Sequence, residues 1–206
     1  MTFKKLVLCG AALAGLSAAA FAHSGATGVV KERMDAMKSM GDAVKRIKPM
    51  MSGEAAYDEA AVREAAQAIA DEAGTAMTKK FPEGSTDHPS EVLPRTWDEW
   101  DRFTGLAQQL EVAANGLAQA AGNGRHGDGH MMDDQSGMMG DHSGMMGGGM
   151  MGGQSGMMGG GMMMGNGEFP EGVTASQIGQ MPADGAFMML TQTCSACHDR
   201  YRKDDD

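Results

Sequence analysis

The sequence predicts an all-α chain, an antiparallel four-helix bundle, and three observations predict it. Four segments place apolar residues at steps of three and four, no segment alternates apolar and polar residues as a strand does, and one abrupt change of composition falls between the third and fourth segments. That change begins at Gly122 and runs to Gly167. The stretch is mostly Gly, Met, His, Asp and Ser, with "SGMMG" recurring at 136, 143 and 155, so it has no periodic apolar face and is expected to be disordered when metal-free. The folded part is expected to be residues 28–121 joined to 168–206.

The chain opens with Lys4 and Lys5, an apolar run from Leu6 to Leu16, and small residues ending in Ala20-Phe21-Ala22. This is the pattern of a secretory signal peptide, residues 1–22, cleaved after Ala22. The apolar run is too short to span a bilayer and no later stretch is long and apolar enough, so no membrane span is expected. Cys9 lies early in the run, after the bulky Leu8, which disfavours a lipid anchor there.

The first helical pattern carries Val30, Met37, Met40, Val44, Ile47 and Met51 as one stripe, with Pro49 and Gly53 marking its end. The second runs from about Asp58 to Lys79, with Ala61, Ala65, Ala68, Ile69, Ala73 and Ala76 as its inner face; so many alanines permit close helix packing. The third opens on Thr96-Trp97-Asp98-Glu99, read as a capping box, and continues with Trp100, Phe103, Ala107, Leu110, Ala114, Leu117 and Ala121. The fourth runs from about Pro182 to Arg202 with Phe187, Leu190, Cys194, Cys197 and Tyr201 on one side. The domain organisation is thus helices one to three in 23–121, the Met-rich insertion 122–167, and the fourth helix in 168–206.

The formal net charge of the whole chain is −10. Loss of Lys4 and Lys5 with the leader makes it about −12, which disfavours nucleic acid and anionic lipid as partners. Only Cys194 and Cys197 remain in the mature chain, and in an oxidising compartment such a pair ordinarily forms a disulfide. Here they belong to Cys194-Ser195-Ala196-Cys197-His198, the C-x-x-C-H pattern of covalent haem attachment. Positions i and i+3 of a helix share a face, so both thiols can add to the two vinyl groups of one haem edge, and His198 can then ligate the iron. The competing reading is a structural or redox C-x-x-C. Thioredoxin-like pairs sit at a helix start in an α/β setting, whereas this pair lies inside the last helix of an all-α chain. A zinc site would need a second C-x-x-C or paired histidines.

The segments "VKERMDAMKSMGDAVKRIKPMMSG", "FPEGS", "WDEWDRF" and "CSACHDRYRK" resemble the cytochrome c′ family, together with its low-spin relatives of the cytochrome c-556 type. The resemblance covers the folded mature chain and leaves out the insertion and its short exit. It implies one covalent haem c on Cys194 and Cys197, with His198 as axial ligand and Arg202 as the arginine beside that ligand. Arg33 corresponds to an arginine near the haem edge and propionates. Met37, one turn further, occupies the position facing the open side of the iron, with Met34 as an alternative. Trp97, Trp100 and Phe103 read as core and haem-packing residues rather than electron relays.

If Met37 ligates the iron, the haem is six-coordinate and suits single-electron transfer. If it only packs above the iron, the site is an apolar pocket for small gases such as NO and CO. The tail and "FPEGS" look closer to cytochrome c′, which favours the second branch. The function expected is therefore a periplasmic c-type cytochrome that binds NO or CO or passes single electrons to a redox partner protein. The resemblance also implies a homodimer through the first two helices. No paired carboxylates or nucleophile and base stand at a catalytic spacing, so an enzyme is not expected.

Thirteen of the 23 methionines lie in the insertion: Met131, Met132, Met138, Met139, Met145, Met146, Met150, Met151, Met157, Met158, Met162, Met163 and Met164. Thioethers are soft donors suited to Cu(I) or Ag(I), and His126, His130 and His142 beside Asp133, Asp134 and Asp141 add donors for Cu(II). The stretch resembles the methionine motifs of periplasmic copper-handling proteins. It gives the alternative function, a copper-binding or copper-buffering protein for metal tolerance on a cytochrome scaffold. A spacer grown by repeat slippage and an oxidant scavenger acting through sulfoxides are the competing readings. His23, terminal after cleavage, offers copper an amine and an imidazole together, though a lone terminal histidine is weak evidence for a site, and His88 is expected to be solvated.

Overall fold

Residues 25–127, 169, 170 and 172–203 are described by the computed structural model. The first helix, α1 (Gly28–Ser52), buries Val30, Arg33, Ala36, Met40, Ala43, Ile47 and Met51. Val30, Met40, Ile47 and Met51 of the expected stripe are buried; Met37 and Val44 sit half-buried at its border, and the smaller Ala36 and Ala43 are buried beside them. Pro49 does not end α1. It occupies the last turn, where a missing N–H removes only one ladder bond, and Gly53 ends the helix at φ 82.

The second predicted helix is two. Helix α2 (Glu59–Glu72) starts at Asp58, whose side chain accepts from the Ala61 N–H at 3.0 Å. It stops at Ala73, and α3 (Gly74–Thr78) follows. Gly74 takes φ +55, and a Cβ there would lie 1.9 Å from a Glu111 carboxylate oxygen, so this break is where the third long helix passes closest. Ala65, Ile69 and Ala73 are buried as expected; Val62 is buried in place of Ala61 and Met77 in place of Ala76, each one residue on and larger, and Ala66 is buried while Ala68 is half-buried.

The capping box at Thr96 is absent. Thr96 lies inside α4 (Arg95–Asp98), fully buried, and the Glu99 N–H donates to the Arg95 carbonyl at 3.0 Å. The Glu99 carboxylate is engaged elsewhere, with Arg200 and Tyr201, a stronger charged partnership than a backbone cap. The long helix α5 (Trp100–Ala120) therefore starts three residues later than the motif suggested. It is the centre of the fold and packs against α2, α3, α6 and α7. Phe103, Leu106, Ala107, Leu110, Ala113, Ala114, Leu117 and Ala120 form its buried face, and Trp100 is half-buried at its start.

A 3-10 turn (Ala121–Asn123) continues α5, and the described residues run on to Gly127. The rest of the expected insertion lies outside the described residues, as does the leader 1–22. The chain re-enters at Phe169, which is 5% exposed and whose N–H donates to the Gln109 side chain at 3.1 Å. Residues 172–181, including α6 (Ala175–Ile178) with a Thr174/Gln177 capping box, then run alongside α5. Gly116 makes this possible: a Cβ there would meet Ile178 Cβ at 2.5 Å.

The last helix is α7 (Ala183–Tyr201). Its end meets the start of α5 through Arg200 and Glu99, and its start meets the end of α5 through Asn123 and Met181, so the two are antiparallel. Arg46 at the end of α1 reaches Glu64 and the Ala61 carbonyl near the start of α2; Arg63 near the start of α2 reaches the Ala118 carbonyl near the end of α5. The four long helices thus form the antiparallel bundle. Among the described residues the single β feature is a bridge between Val92 and Arg202. No described helix is long and apolar enough to cross a membrane.

Candidate haem-attachment site

Cys194, Cys197 and His198 occupy the last two turns of α7. The cysteines are three residues apart, share one face, carry free thiols and pack half-buried against the core. Burial pushes the Cys194 thiol up to about 11, and burial together with the neighbouring Cys194 pushes Cys197 up to about 12. Both are therefore neutral thiols at physiological pH. The His198 ring is exposed, yet desolvation first and Arg202 second lower its pKa, opposed by Asp199 and Glu91. It is thereby biased to the neutral imidazole that a metal requires.

Thr193, 1% exposed, turns to the core and donates its hydroxyl to the Met189 carbonyl at 3.1 Å. With Thr193 turned inward, the two cysteines lie at the border of the core. Tyr201, 4% exposed, meets Phe103 edge-on at 5.4 Å, and Phe103 in turn packs against Phe81 at 4.7 Å and Trp100 at 5.4 Å. The Trp97 indole N–H donates to the Phe81 carbonyl at 3.0 Å. Of the three aromatic residues picked from the sequence, Phe103 is buried in the core, Trp100 packs half-buried against it, and Trp97 is half-buried beside Phe81.

Arg202 leaves the helix at its C-cap, bonds Glu91 through Nε at 2.6 Å, and bridges Val92 by backbone; Leu93 N–H donates to the Tyr201 carbonyl at 2.9 Å. Arg33, 3% exposed, reaches the same connecting segment from α1. Its Nη1 donates to the Lys80 carbonyl (3.3 Å) and Ser85 Oγ (3.1 Å), its Nη2 to the Ser85 carbonyl and Ser90 Oγ (both 2.8 Å), and the guanidinium lies 4.6 Å from the Phe81 ring centre. The two arginines named from the sequence therefore converge on one segment, 80–93, which they clasp from α1 and from the end of α7. Met37 sits a turn beyond Arg33, half-buried against the core. Of the copper candidates only His126 falls among the described residues; His130, His142 and all thirteen methionines lie outside them.

Sequence reasoning missed Glu99, Glu91, Ser85 and Ser90. Glu99 stood in "WDEWDRF" but was assigned to a cap. Its carboxyl is held below the ordinary range, the Arg200 hydrogen bond being the largest cause, with burial opposing it and the Tyr201 hydroxyl assisting.

These residues fit a covalently attached haem: two neutral thiols on one face at the border of an aromatic core, and a neutral imidazole on the next position of the same helix.

The cytochrome C′ family profile matches residues 28–143, 56% of the chain. The chain belongs to the cytochrome c′ family. The matched residues stop before the C-x-x-C-H motif, which lies beyond the insertion. Cytochrome c′ of Rhodopseudomonas palustris is 35% identical over 93 residues, 43% of this chain and 60% of that protein. Among solved structures, cytochrome c′ of Thermochromatium tepidum is similar at TM-score 0.52 and 19% identity, covering 85% of this chain and 95% of that one. The nitric oxide complex of a cytochrome c prime variant from Alcaligenes xylosoxidans is similar at TM-score 0.52 and 19% identity, covering 86% and 94%. The up-down-up-down bundle is the one for which cytochrome c′ is itself a standing example. Membership implies a covalently bound haem c.

Proposed function

We propose that this chain is an exported cytochrome of the cytochrome c′ kind. One haem c is carried by Cys194 and Cys197 with His198 as axial ligand, and small gases, NO or CO, bind on the side nearest Met37. The observation that carries this reading is the C-x-x-C-H motif on α7, with two neutral thiols against the core of a bundle that belongs to this family. The haem would supply an iron that takes up a diatomic ligand or a single electron. The chain's own residues do the rest. The Tyr201–Phe103 packing fixes the rotation of α7, and the Glu99–Arg200 pair holds its end against α5. Arg33 and Arg202 hold the segment 80–93 over that end.

Met37 selects between gas binding and single-electron transfer to a redox partner, and its half-buried, core-packed position accords with a packing residue. The leader pattern supports a periplasmic location, with the mature chain starting after Ala22. The alanine-rich α2 supports a homodimer. The domain division we favour is leader 1–22, helices in 23–121, insertion 122–167 and motif helix in 168–206. The thirteen methionines support a second role in which the insertion binds copper, as Cu(I) through thioethers and Cu(II) through histidines. The test is heat and acid-acetone extraction of the mature protein: haem should stay with the chain, and should be released when Cys194 and Cys197 are both replaced by Ser.

A further inference from the structure

The turn that follows α5 is stapled to the start of α7. Asn123 Nδ2 donates to the Gly179 and Met181 carbonyls at 2.8 and 2.7 Å, and the Ala183 N–H donates to the Gly124 carbonyl at 2.7 Å. The His126 backbone N–H donates to Asp184 Oδ1 at 3.1 Å, and its ring Nδ1 stands 2.9 Å from both Asp184 oxygens. His126 is thus fixed by backbone and ring although its side chain is 69% exposed. Burial opposes ionisation of Asp184, but the ring and backbone of His126 and the Gly185 N–H outweigh it and hold the carboxyl below its ordinary range.

An ionised carboxylate only accepts, so the contact assigns a proton to Nδ1 and leaves Nε2 as the ring nitrogen turned away from Asp184, the one a metal would take. Carboxylates orient metal-bound imidazoles in this way, fixing tautomer and ring angle. The Met181 side chain, which carries a soft thioether, approaches the same point: a side-chain atom added to Gly185 would lie 3.3 Å from the Met181 methyl and 3.7 Å from His126 Cε1. Thioether and imidazole therefore flank one bare spot of α7. Among the described residues no three His, Cys, Asp or Glu side chains converge on a metal position, which leaves a zinc-type set unformed.

We propose that His126 and Met181 bind one soft monovalent cation, Cu(I) or Ag(I), with Asp184 as the positioning residue that holds the imidazole. The proposal rests on the copper reading above for the identity of the ion, and it locates a first capture site on the folded body. Because the staple fixes the His126 ring and the Met181 backbone in advance, this site loses less freedom on binding than a flexible chain does and fills first.

The experiment titrates the full-length, haem-loaded protein in its ferric state with Ag(I) nitrate in chloride-free buffer. Bound ions are counted by native mass spectrometry. Solvent reactivity of each His and Met is mapped by carbethoxylation and by oxidative labelling. At one Ag(I) per chain, His126 and Met181 should be protected at least five-fold, ahead of all other His and Met. Asp184→Asn should weaken the first ion about ten-fold, and Met181→Leu should remove the early protection of His126. Circular dichroism checks that both variants keep the fold. Protection of other methionines with His126 and Met181 unmoved overturns this site and leaves the copper reading standing. Protection of His126 and Met181 alone upholds the site and removes the insertion from the copper reading. Absence of any bound Ag(I) overturns both.

Discussion

Replacing Arg33 by Ala removes the clasp that joins α1 to the segment 80–93. Four donor contacts are lost, two of them short at 2.8 Å, together with the face-on contact to Phe81 at 4.6 Å. Hydrogen bonds from a charged donor contribute about 1.5–3 kcal/mol net each when well formed. The contacts to Lys80 and Ser85 lie in part-buried ground, where water takes over some of their role, and Ser90 Oγ keeps the Val92 N–H as a partner. The two short bonds thus dominate, and removal should cost about 3 kcal/mol. That lowers the melting temperature of a chain this size by about 10 °C. Arg33→Lys should lose roughly half as much, since one ammonium cannot reach both Ser85 and Ser90 in the fork geometry. Urea unfolding followed by far-UV circular dichroism, with wild-type slope retained, measures both. A loss below about 1 kcal/mol for Arg33→Ala, the level of an exposed ion pair, would refute the reasoning.

Three further outcomes are expected. Gly116→Ala should destabilise by about 1–3 kcal/mol because its Cβ meets Ile178 at 2.5 Å, read by thermal unfolding; Gly105→Ala, where nothing lies within 4 Å, serves as the control. Glu99 has a lowered folded-state pKa, so its stabilising contribution is complete above the ordinary carboxylate range and is lost as pH falls through the folded value. Acid unfolding of Glu99→Gln should therefore flatten in the region below about pH 4.5 compared with the parent, and an unchanged acid profile would remove Glu99 from the account. Before haem attachment, the thiols at about 11 and about 12 should react with iodoacetamide at pH 8 about two orders of magnitude more slowly than an unhindered thiol, and equal rates would show that they are not buried.

The bundle was legible because its signals are local and periodic: the apolar steps of α5 survive in the structure nearly residue for residue, and the C-x-x-C-H spacing marks the site by itself. What the sequence hid is relational. The shift of the α1 stripe toward Arg33 and Ala36, which leaves Met37 at the border, depends on where segment 80–93 lies. A periodic pattern cannot encode that. The break at Gly74 reads as an ordinary glycine until Glu111, 37 residues on, is known to press against it. Thr96 and Glu99 satisfy the capping-box spacing, yet Arg200, about a hundred residues later, draws the carboxylate away. Arg33 and Arg202 were found through resemblance, and their common partner, 80–93, appears only in three dimensions.

The account's central claim is a haem on Cys194 and Cys197, ligated by His198, with Met37 packing near the iron rather than bonding it. The optical and EPR spectra of the mature protein, ferric and ferrous, with and without CO, test it most directly. The account predicts a high-spin iron that takes up CO. A low-spin iron that ignores CO, and that turns high-spin in Met37→Leu, would contradict it and make this protein an electron carrier with Met37 as its sixth ligand.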